Sequence, residues 1–201
     1  FEEDVCKHFA DKKILAPVHL DNGNENNLIK IFEQFVSEDD WVMCSWRSHY
    51  KTLLKGVPSE EVMEAILQGK SISLCFPNYK VISSAIVGGI LPIAVGAAMG
   101  IKRRGDNNKV VCFMGETTSE TGVFHECYKY SMNYELPLLW VVEDNGKSVC
   151  TPTRDVWNIK GRLTYEPDGY ESGVKQFSDR LVYYRYTSRF PHAGTGSRIN
   201  F

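Results

Sequence analysis

Two short stretches of the sequence place an acid or amide side chain beside glycine at the end of an apolar run. One reads Gly-Glu-Thr at 115–117, and the other reads Glu-Asp-Asn-Gly at 143–146. Carboxylate and amide oxygens suit Mg²⁺ or Ca²⁺, ions that commonly bridge a protein to phosphate groups. Gly115 lets a ligand approach the backbone closely, and the N–H groups of Thr117 and Thr118 precede a predicted helix and can donate to phosphate oxygens. Together the stretches predict a site for a cation and a phosphate group.

The elements that position these stretches are predicted from the periodicity of apolar residues. A strand at 109–114, a helix at 121–132 and a strand at 136–143 form a βαβ unit with the usual right-handed crossover. Open α/β sheets bind ligands at the carboxyl ends of their strands, where both polar stretches lie. Each stretch alone is more typical of an ordinary turn. Their position at the two strand ends of one unit favours a shared site.

The remaining pattern predicts a single α/β domain, a mainly parallel sheet flanked by helices on both faces. Residues 1–157 carry the ligand-binding unit, and residues 158–201 add a C-terminal strand and tail to the same domain. The other predicted elements are helices at 1–13, 26–36, 59–69 and 85–102, a helix beginning at 46, strands at 41–44 and 181–186, and an irregular segment at 71–84. Ser59 is the predicted N-cap of its helix.

Composition excludes several other classes of protein. The net charge is −2 and no basic stripe is interleaved with aromatic residues, so we expect no nucleic-acid partner. The longest apolar stretch, at 86–99, is too short to cross a bilayer and contains glycine and proline, so we expect no membrane span. The six cysteines are dispersed without a CxxC pair. They predict buried free thiols, a reducing compartment and a cytoplasmic location.

Five motifs, in order along the chain, resemble the α subunit of the E1 component of 2-oxo acid dehydrogenases, a family of thiamine diphosphate enzymes. They are VHLDNGNE at 18–25, SWRSHYKTLLKGVP at 45–58, GKSIS at 69–73, AIVGGILPIAVGAAM at 85–99, and the Gly-Glu-Thr and Asp-Asn stretches described above. The resemblance implies the thiamine diphosphate-binding fold, an α/β/α sandwich. It also implies that residues 1–157 form its diphosphate-binding (PP-type) domain.

The resemblance assigns a role to individual positions. The side chains of Glu116 and Asn145 and the backbone carbonyl of Lys147 are the implied metal ligands. Three active-site histidines are implied, at His19, His49 and, in a segment similar to the family's Tyr-Arg-x-x-x-His, at His192. The implied cofactor-binding residues are Trp46, Arg47, Ala85, Val87, Gly115, Glu116, Thr117, Thr118 and Asn145. In that set an aromatic residue and an arginine bind the diphosphate, and the backbone near 85–87 holds the aminopyrimidine.

The activity implied by the resemblance is decarboxylation of a 2-oxo acid and transfer of the acyl unit, with thiamine diphosphate and Mg²⁺ (or Ca²⁺) as cofactors. In this family the activating glutamate comes from a β-type subunit. The resemblance therefore implies a second chain and an α2β2 assembly, with a small-molecule 2-oxo acid as substrate and a lipoyl acyltransferase as a further candidate partner.

The chain departs from the family pattern at positions that matter for function. Glu116 replaces the motif's aspartate and Thr117 replaces its second glycine. Cys75 lies about where the family has the histidine that serves lipoyl transfer, and the chain is short. The acyl acceptor is therefore open between a lipoyl group and a sugar or aldehyde in a carboligase-type reaction. Two alternatives also stay open: a transketolase-like ketol-transfer half-enzyme and a non-catalytic structural or regulatory relative.

Overall fold

A mixed sheet of seven strands forms the centre of the fold, seen in a computed structural model that describes residues 1–196. Its strands are β1 (Trp41–Ser45), β2 (Cys75–Phe76), β3 (Val81–Ser84), β4 (Val110–Gly115), β5 (Leu138–Asp144), β8 (Lys175–Ser178) and β9 (Leu181–Arg185). The order is β2-β3-β1-β4-β5-β9-β8. The five inner strands are parallel, and the two edge strands are antiparallel to their neighbours. A separate hairpin pairs β6 (Lys147–Ser148) with β7 (Thr151–Pro152).

Helices cover both faces of this sheet. The helices of the described part of the chain are α1 (Glu2–Ala10), α2 (Glu25–Phe35), α3 (His49–Leu54), α4 (Ser59–Ala65), α5 (Ile90–Arg104), α6 (Glu116–Ser119), α7 (Gly122–Asn133) and α8 (Thr153–Val156), with a π-helical turn at Ile66–Lys70 and a 3₁₀ turn at Pro77–Tyr79. Within the described residues, no helix has both the length and the apolar character needed to span a membrane.

Alternate residues of the central strands point to opposite faces and supply two apolar layers. On one face Cys112 and Trp140 pack with Ala94 of α5 and Phe124 of α7. On the other face, strand residues including Phe113 pack against α2. Because β4 and β5 are buried on both sides, each contains a continuous apolar run, at 110–114 and at 138–142, as is usual for inner parallel strands.

This architecture confirms the predicted fold class and the predicted βαβ unit. β4 and β5 are parallel neighbours joined through α7, so their carboxyl ends lie at the same edge of the sheet. Residues 158–196 contribute β8 and β9 to this sheet, and β9 pairs directly with β5. The predicted tail at 197–201 lies outside the described residues.

Several predicted elements were wrong in extent or kind. The segment 71–84 is not irregular, because it contains both β2 and β3. The helix predicted to begin at residue 85 begins at Ile90, since residues 85–89 form a loop in which Gly88 has a φ of +73°. The helix predicted from residue 46 begins at His49. Ser59 is the first helical residue, and no side-chain hydrogen bond caps that helix.

All six cysteines are free, but they differ in exposure. Cys44, Cys112 and Cys127 are buried, as predicted. The prediction of burial was wrong for Cys75 and Cys150, which are exposed because one lies on an edge strand and the other in the β6–β7 turn.

Candidate functional site

The two polar stretches meet at the carboxyl edge of the sheet. Gly115 at the end of β4 pairs in register with Glu143 of β5, so the residues that follow the two strands start side by side. The backbone N–H of Asn145 donates a hydrogen bond to Oε2 of Glu116 at 3.4 Å. The Glu116 carboxylate and the backbone of the Asn145 loop are therefore in direct contact.

A cavity of about 120 Å³ opens at this point. It is lined by Trp46, Arg47, Val87, Gly115, Glu116, Thr117, Thr118, Asn145, Lys147, Ser148, Val149 and His192. Most of the residues that the sequence assigned to the site therefore share one cavity, although they come from five separate segments of the chain. The volume is below the range of roughly 300–1,000 Å³ that is usual for complete small-molecule sites. The cavity has room for one end of a larger ligand.

Glu116 is a buried carboxylate held by two hydrogen bonds. Its side chain is buried, and Oε1 accepts a hydrogen bond from Oγ1 of Thr153 at 2.5 Å. Burial raises the pKa of Glu116 to about 7; the Thr153 hydroxyl acts against this shift, and the nearby charge of Asp144 adds to it. Loss of hydration disfavours the charged carboxylate, and a bound cation at this point would stabilise it.

The loop that follows β5 is ordered by its own side chains. Oδ1 of Asp144 accepts a hydrogen bond from the backbone N–H of Gly146 at 2.7 Å, and Oδ1 of Asn145 accepts one from the N–H of Lys147 at 2.9 Å. Gly146 has a φ of +73°, a conformation that glycine adopts without strain. These contacts fix the backbone carbonyl of Lys147 and the side chain of Asn145 near the cavity.

Arg47 and His192 line the cavity, and His19 packs behind them. Nε of Arg47 donates to the carbonyl of Leu20 at 3.2 Å, and Nη2 donates to the carbonyl of His192 at 2.9 Å. Nδ1 of His19 lies 2.6 Å from the same His192 carbonyl and therefore carries its proton there. Burial, reinforced by the Arg47 charge, lowers the pKa of His19 to about 4, so its ring is neutral at neutral pH.

The donor set matches what a diphosphate and a divalent cation require. The buried Nε1 of Trp46 has no hydrogen-bond partner among the described residues, and a phosphate oxygen in the cavity would supply the missing acceptor. Arg47, Trp46 and the desolvated Glu116 carboxylate line the same cavity. The described residues contain no group of three or more His, Cys, Asp or Glu able to hold a metal ion. A cation here would use the Glu116 carboxylate together with the amide oxygen of Asn145, the carbonyl oxygen of Lys147 and the ligand's phosphates.

Three of the assigned residues lie outside the cavity lining. His19 sits behind it, with its ring 4.8 Å from that of His192. Ala85 is exposed in the loop before α5. His49 is fully buried at the start of α3, where Nε2 lies 2.9 Å from Oγ of Ser71 and Nδ1 lies 3.3 Å from Oε1 of Glu2. The surroundings of His49 indicate that it holds α3 in place.

Two groups that support the site were missed by reasoning from the sequence. One is Thr153, described above. The other is the fully buried ammonium of Lys51, whose Nζ lies 2.9 Å from Asp21, 2.9 Å from Glu143 and 2.9 Å from the carbonyl of Arg47. Burial lowers the pKa of Lys51, but the two carboxylates together outweigh burial and keep the pKa above its usual value. These partners are distant in sequence, so no local pattern identifies them.

The amino-acid sequence matches that of a known protein family. Residues 1–163 match the sequence profile of the family described as dehydrogenase E1 component. The pyruvate dehydrogenase E1 component subunit alpha-3, chloroplastic, of Arabidopsis thaliana is 30% identical over an alignment of 203 positions, which covers 90% of this chain and 47% of that protein. The E1 component subunit alpha of pyruvate dehydrogenase from Porphyra purpurea is 30% identical over an alignment of 164 positions, which covers 71% of this chain and 46% of that protein.

A third relative carries a different name. The subunit alpha of acetoin:2,6-dichlorophenolindophenol oxidoreductase from Bacillus subtilis (strain 168) is 28% identical over an alignment of 163 positions, which covers 76% of this chain and 48% of that protein. The chain spans about half the length of the curated relatives that it matches. The profile match covers most of the chain and the relatives are α subunits, so the protein belongs to the dehydrogenase E1 component family as a relative of its α subunits.

Proposed function

We propose that this chain is the diphosphate-binding α-type subunit of an enzyme that depends on thiamine diphosphate and Mg²⁺. The enzyme decarboxylates a 2-oxo acid and passes the acyl unit to an acceptor. The observation that carries the proposal is the contact between Glu116 and the Asn145 loop, in the same cavity as Arg47 and Trp46. Candidate cation ligands and candidate phosphate donors therefore line one cavity, whose volume of about 120 Å³ is too small for a complete cofactor.

The residues of this chain bind and orient the diphosphate end. Arg47 supplies charge-assisted donors and Trp46 supplies an indole N–H, while Glu116, Asn145 and the carbonyl of Lys147 hold the cation. Neutral His19 donates to the His192 carbonyl and fixes the segment that also accepts from Arg47. Thiamine diphosphate, when bound, supplies the nucleophilic carbon and the electron sink for decarboxylation.

A second subunit is supported by apolar surface beside the cavity. Ile86 is 71% exposed and Val87 is 55% exposed in the loop between β3 and α5. A separate apolar groove of about 370 Å³ lies along α5 and α7, lined by Pro92, Val95, Gly96, Met99, Glu126, Cys127 and Tyr130. Exposed apolar surface of this kind marks interaction sites. In our proposal a β-type subunit covers this face, completes the cofactor site with its glutamate and forms an α2β2 enzyme.

The acyl acceptor is a lipoyl group in a dehydrogenase reaction and an aldehyde or sugar in a carboligase-type reaction. Cys75, at the position where the family has a histidine, is exposed and lines a separate groove with Glu61, Gln68 and Lys70. It is not part of the cavity that holds Glu116. Within the proposal the acyl acceptor is therefore either the lipoyl group of an acyltransferase or an aldehyde or sugar. The free thiols of the chain suit a reducing compartment, and we place the enzyme in the cytoplasm.

Calorimetry tests the proposal directly. The chain, assembled with its second subunit, is titrated with thiamine diphosphate in the presence of Mg²⁺. Arg47→Ala removes a charge-assisted contact worth about 1.5–3 kcal/mol and should weaken binding by roughly 10- to 150-fold. Arg103→Ala, an exposed arginine in the last turn of α5, is the matched control and should bind like the parent protein.

Two outcomes would change the assignment. Absence of binding by the parent protein would indicate a non-catalytic relative of the family. Binding without release of carbon dioxide from any member of a panel of 2-oxo acids, but with transfer from a ketose phosphate, would indicate a transketolase-like half-enzyme. Equal affinity of Arg47→Ala and the parent protein would remove Arg47 from the site.

A further inference from the structure

Thr153 links the two strand-end stretches by contacts that the proposed function does not require. It is buried at the start of α8, directly after the β6–β7 hairpin. Its backbone N–H donates to the carbonyl of Gly146 at 3.1 Å, which attaches it to the loop after β5. Its hydroxyl donates to Oε1 of Glu116 at 2.5 Å, which attaches it to the residue after β4.

The hydroxyl of Thr117 extends this contact into a chain of hydrogen bonds. Oγ1 of Thr117 lies 3.2 Å from Oγ1 of Thr153. A threonine hydroxyl has a single proton, and Thr153 donates its proton to Glu116. The bond between the two threonines therefore runs from Thr117 to Thr153. Three groups form a directed series, from Thr117 through Thr153 to Glu116, in which each bond polarises the next.

This series addresses a problem that a glutamate creates at this position. Glutamate has more rotatable bonds than aspartate and loses more rotamer freedom when its carboxylate is fixed. Mg²⁺ requires near-ideal octahedral geometry, so a mobile carboxylate is a poor ligand. In this chain Oε1 is held by Thr153 and Oε2 by the N–H of Asn145, and each oxygen keeps a lone pair for a cation.

We propose that Thr153 is a positioning residue that, together with Thr117, fixes the Glu116 carboxylate for cation binding. The proposal rests on the proposed function, because it assigns a role to Thr153 in that same site. The proposal explains why Glu116 and Thr117 occur together. The longer side chain of Glu116 reaches the Thr153 hydroxyl, and Thr117 orients that hydroxyl. A shorter acid at 116 would not reach Thr153 and would gain nothing from it.

A double-mutant cycle tests this coupling. Binding of Mn²⁺ to the assembled protein is measured by the loss of the free-ion electron paramagnetic resonance signal, with and without thiamine diphosphate. Thr153→Val keeps the shape of the side chain and removes the hydroxyl, and should weaken Mn²⁺ binding by roughly 10- to 100-fold, as for other residues that orient metal ligands. In a Glu116→Asp background the same change should alter affinity by less than about twofold.

Two further variants separate positioning from folding. Thr153→Ser retains the hydroxyl and should restore Mn²⁺ affinity to within about threefold of the parent protein. Thr151→Val, an exposed threonine on the same hairpin, is the matched control and should bind like the parent.

The results that overturn the proposal differ from those that overturn the proposed function. Parent-like affinity of Thr153→Val, or equal losses in the parent and Glu116→Asp backgrounds, would show that Thr153 does not position the carboxylate. Thr153-dependent Mn²⁺ binding without any affinity for thiamine diphosphate would support the positioning role and refute the proposed function. A parent protein that binds neither Mn²⁺ nor thiamine diphosphate would refute both.

Discussion

Replacing Lys51 with methionine tests whether one buried ammonium group holds three segments of the site together. The Nζ atom lies 2.9 Å from oxygens of Asp21 and Glu143 and 2.9 Å from the carbonyl of Arg47. These residues belong to the loop after His19, to β5 and to the segment that carries Arg47 itself. Methionine has a similar volume but neither charge nor hydrogen-bond donors, so the two carboxylates would be left close together without a cation.

The size of the effect follows from these distances. Coulomb attraction at 2.9 Å is about 6 kcal/mol for each pair at an effective dielectric constant of roughly 20. The cost of removing three charged groups from water offsets most of this attraction, so the net value of the intact cluster is small. Breaking such a cluster by removing one partner typically costs about 3–5 kcal/mol. We therefore expect Lys51→Met to lose about 4 kcal/mol, a large part of the roughly 5–15 kcal/mol that stabilises most domains.

Urea unfolding followed by circular dichroism measures this loss as a shift of the midpoint by roughly 1–2 M. Lys80→Met is the control, because Lys80 pairs with the exposed Asp39 at the surface and should leave the midpoint nearly unchanged. In the Lys51→Met background, adding Glu143→Gln should recover stability, since one uncompensated charge is removed. A loss of less than about 1 kcal/mol for Lys51→Met would refute the claim that this ammonium is dehydrated and bound to both carboxylates.

Two further predictions concern other residues that support the site. The pKa of His19 is lowered from 6.5 to about 4, so neutral His19 stabilises the fold above pH 6.5 and this contribution is lost as the pH falls from 6.5 to 4. Because the His19 side chain is partly exposed, we discount the loss to about 1–2 kcal/mol. His19→Gln should therefore flatten the plot of the free energy of unfolding against pH across that range. Parallel plots for the parent protein and the variant would contradict the assignment. Gly23→Ala should destabilise the protein by about 1–3 kcal/mol, because Gly23 has a φ of +104° and an added Cβ would overlap the carbonyl oxygen of Thr187. Gly96→Ala, in an open position within α5, should not destabilise it, and equal losses for the two variants in thermal unfolding would refute the steric argument.

The location of the site could be predicted because it depends on topology. Apolar runs identify β4 and β5, and parallel neighbours joined by a helix must end at the same edge of the sheet. The polar residues after each strand therefore had to meet, whatever the details of their side chains. The contact between Glu116 and the backbone of Asn145 follows from that rule.

The sequence did not predict secondary structure correctly where an element was short or where its composition suited more than one conformation. β3 has four residues, of which two are serines, so it lacks the apolar run of an inner strand. Residues 85–89 have the same small and apolar composition as the helix that follows, and only the left-handed conformation of Gly88 marks them as a loop. Boundaries of this kind depend on backbone conformation that composition does not specify.

The supporting contacts could not be predicted because each joins distant parts of the chain. Thr153 is 37 residues from Glu116. Lys51 lies on a short helix and its partners come from a loop and from the centre of the sheet. A buried lysine carries no sequence signature that distinguishes it from a solvent-exposed one, since both occur at helical spacing among apolar residues.

The position of β9 between β5 and β8 has a consequence for how the chain acquires its structure. Among the described strands of the sheet, β9, which completes the parallel array beside β5, comes last along the chain, after every residue that lines the cavity except His192. During synthesis Lys51 and Asp21 leave the ribosome long before Glu143, and Glu143 accepts its hydrogen bond from Tyr184 only when β9 arrives. Folding that relies on such distant pairings is slow and leaves apolar strand edges open in the meantime. Chaperone binding during translation should therefore be strongest between the emergence of β5 and that of β9.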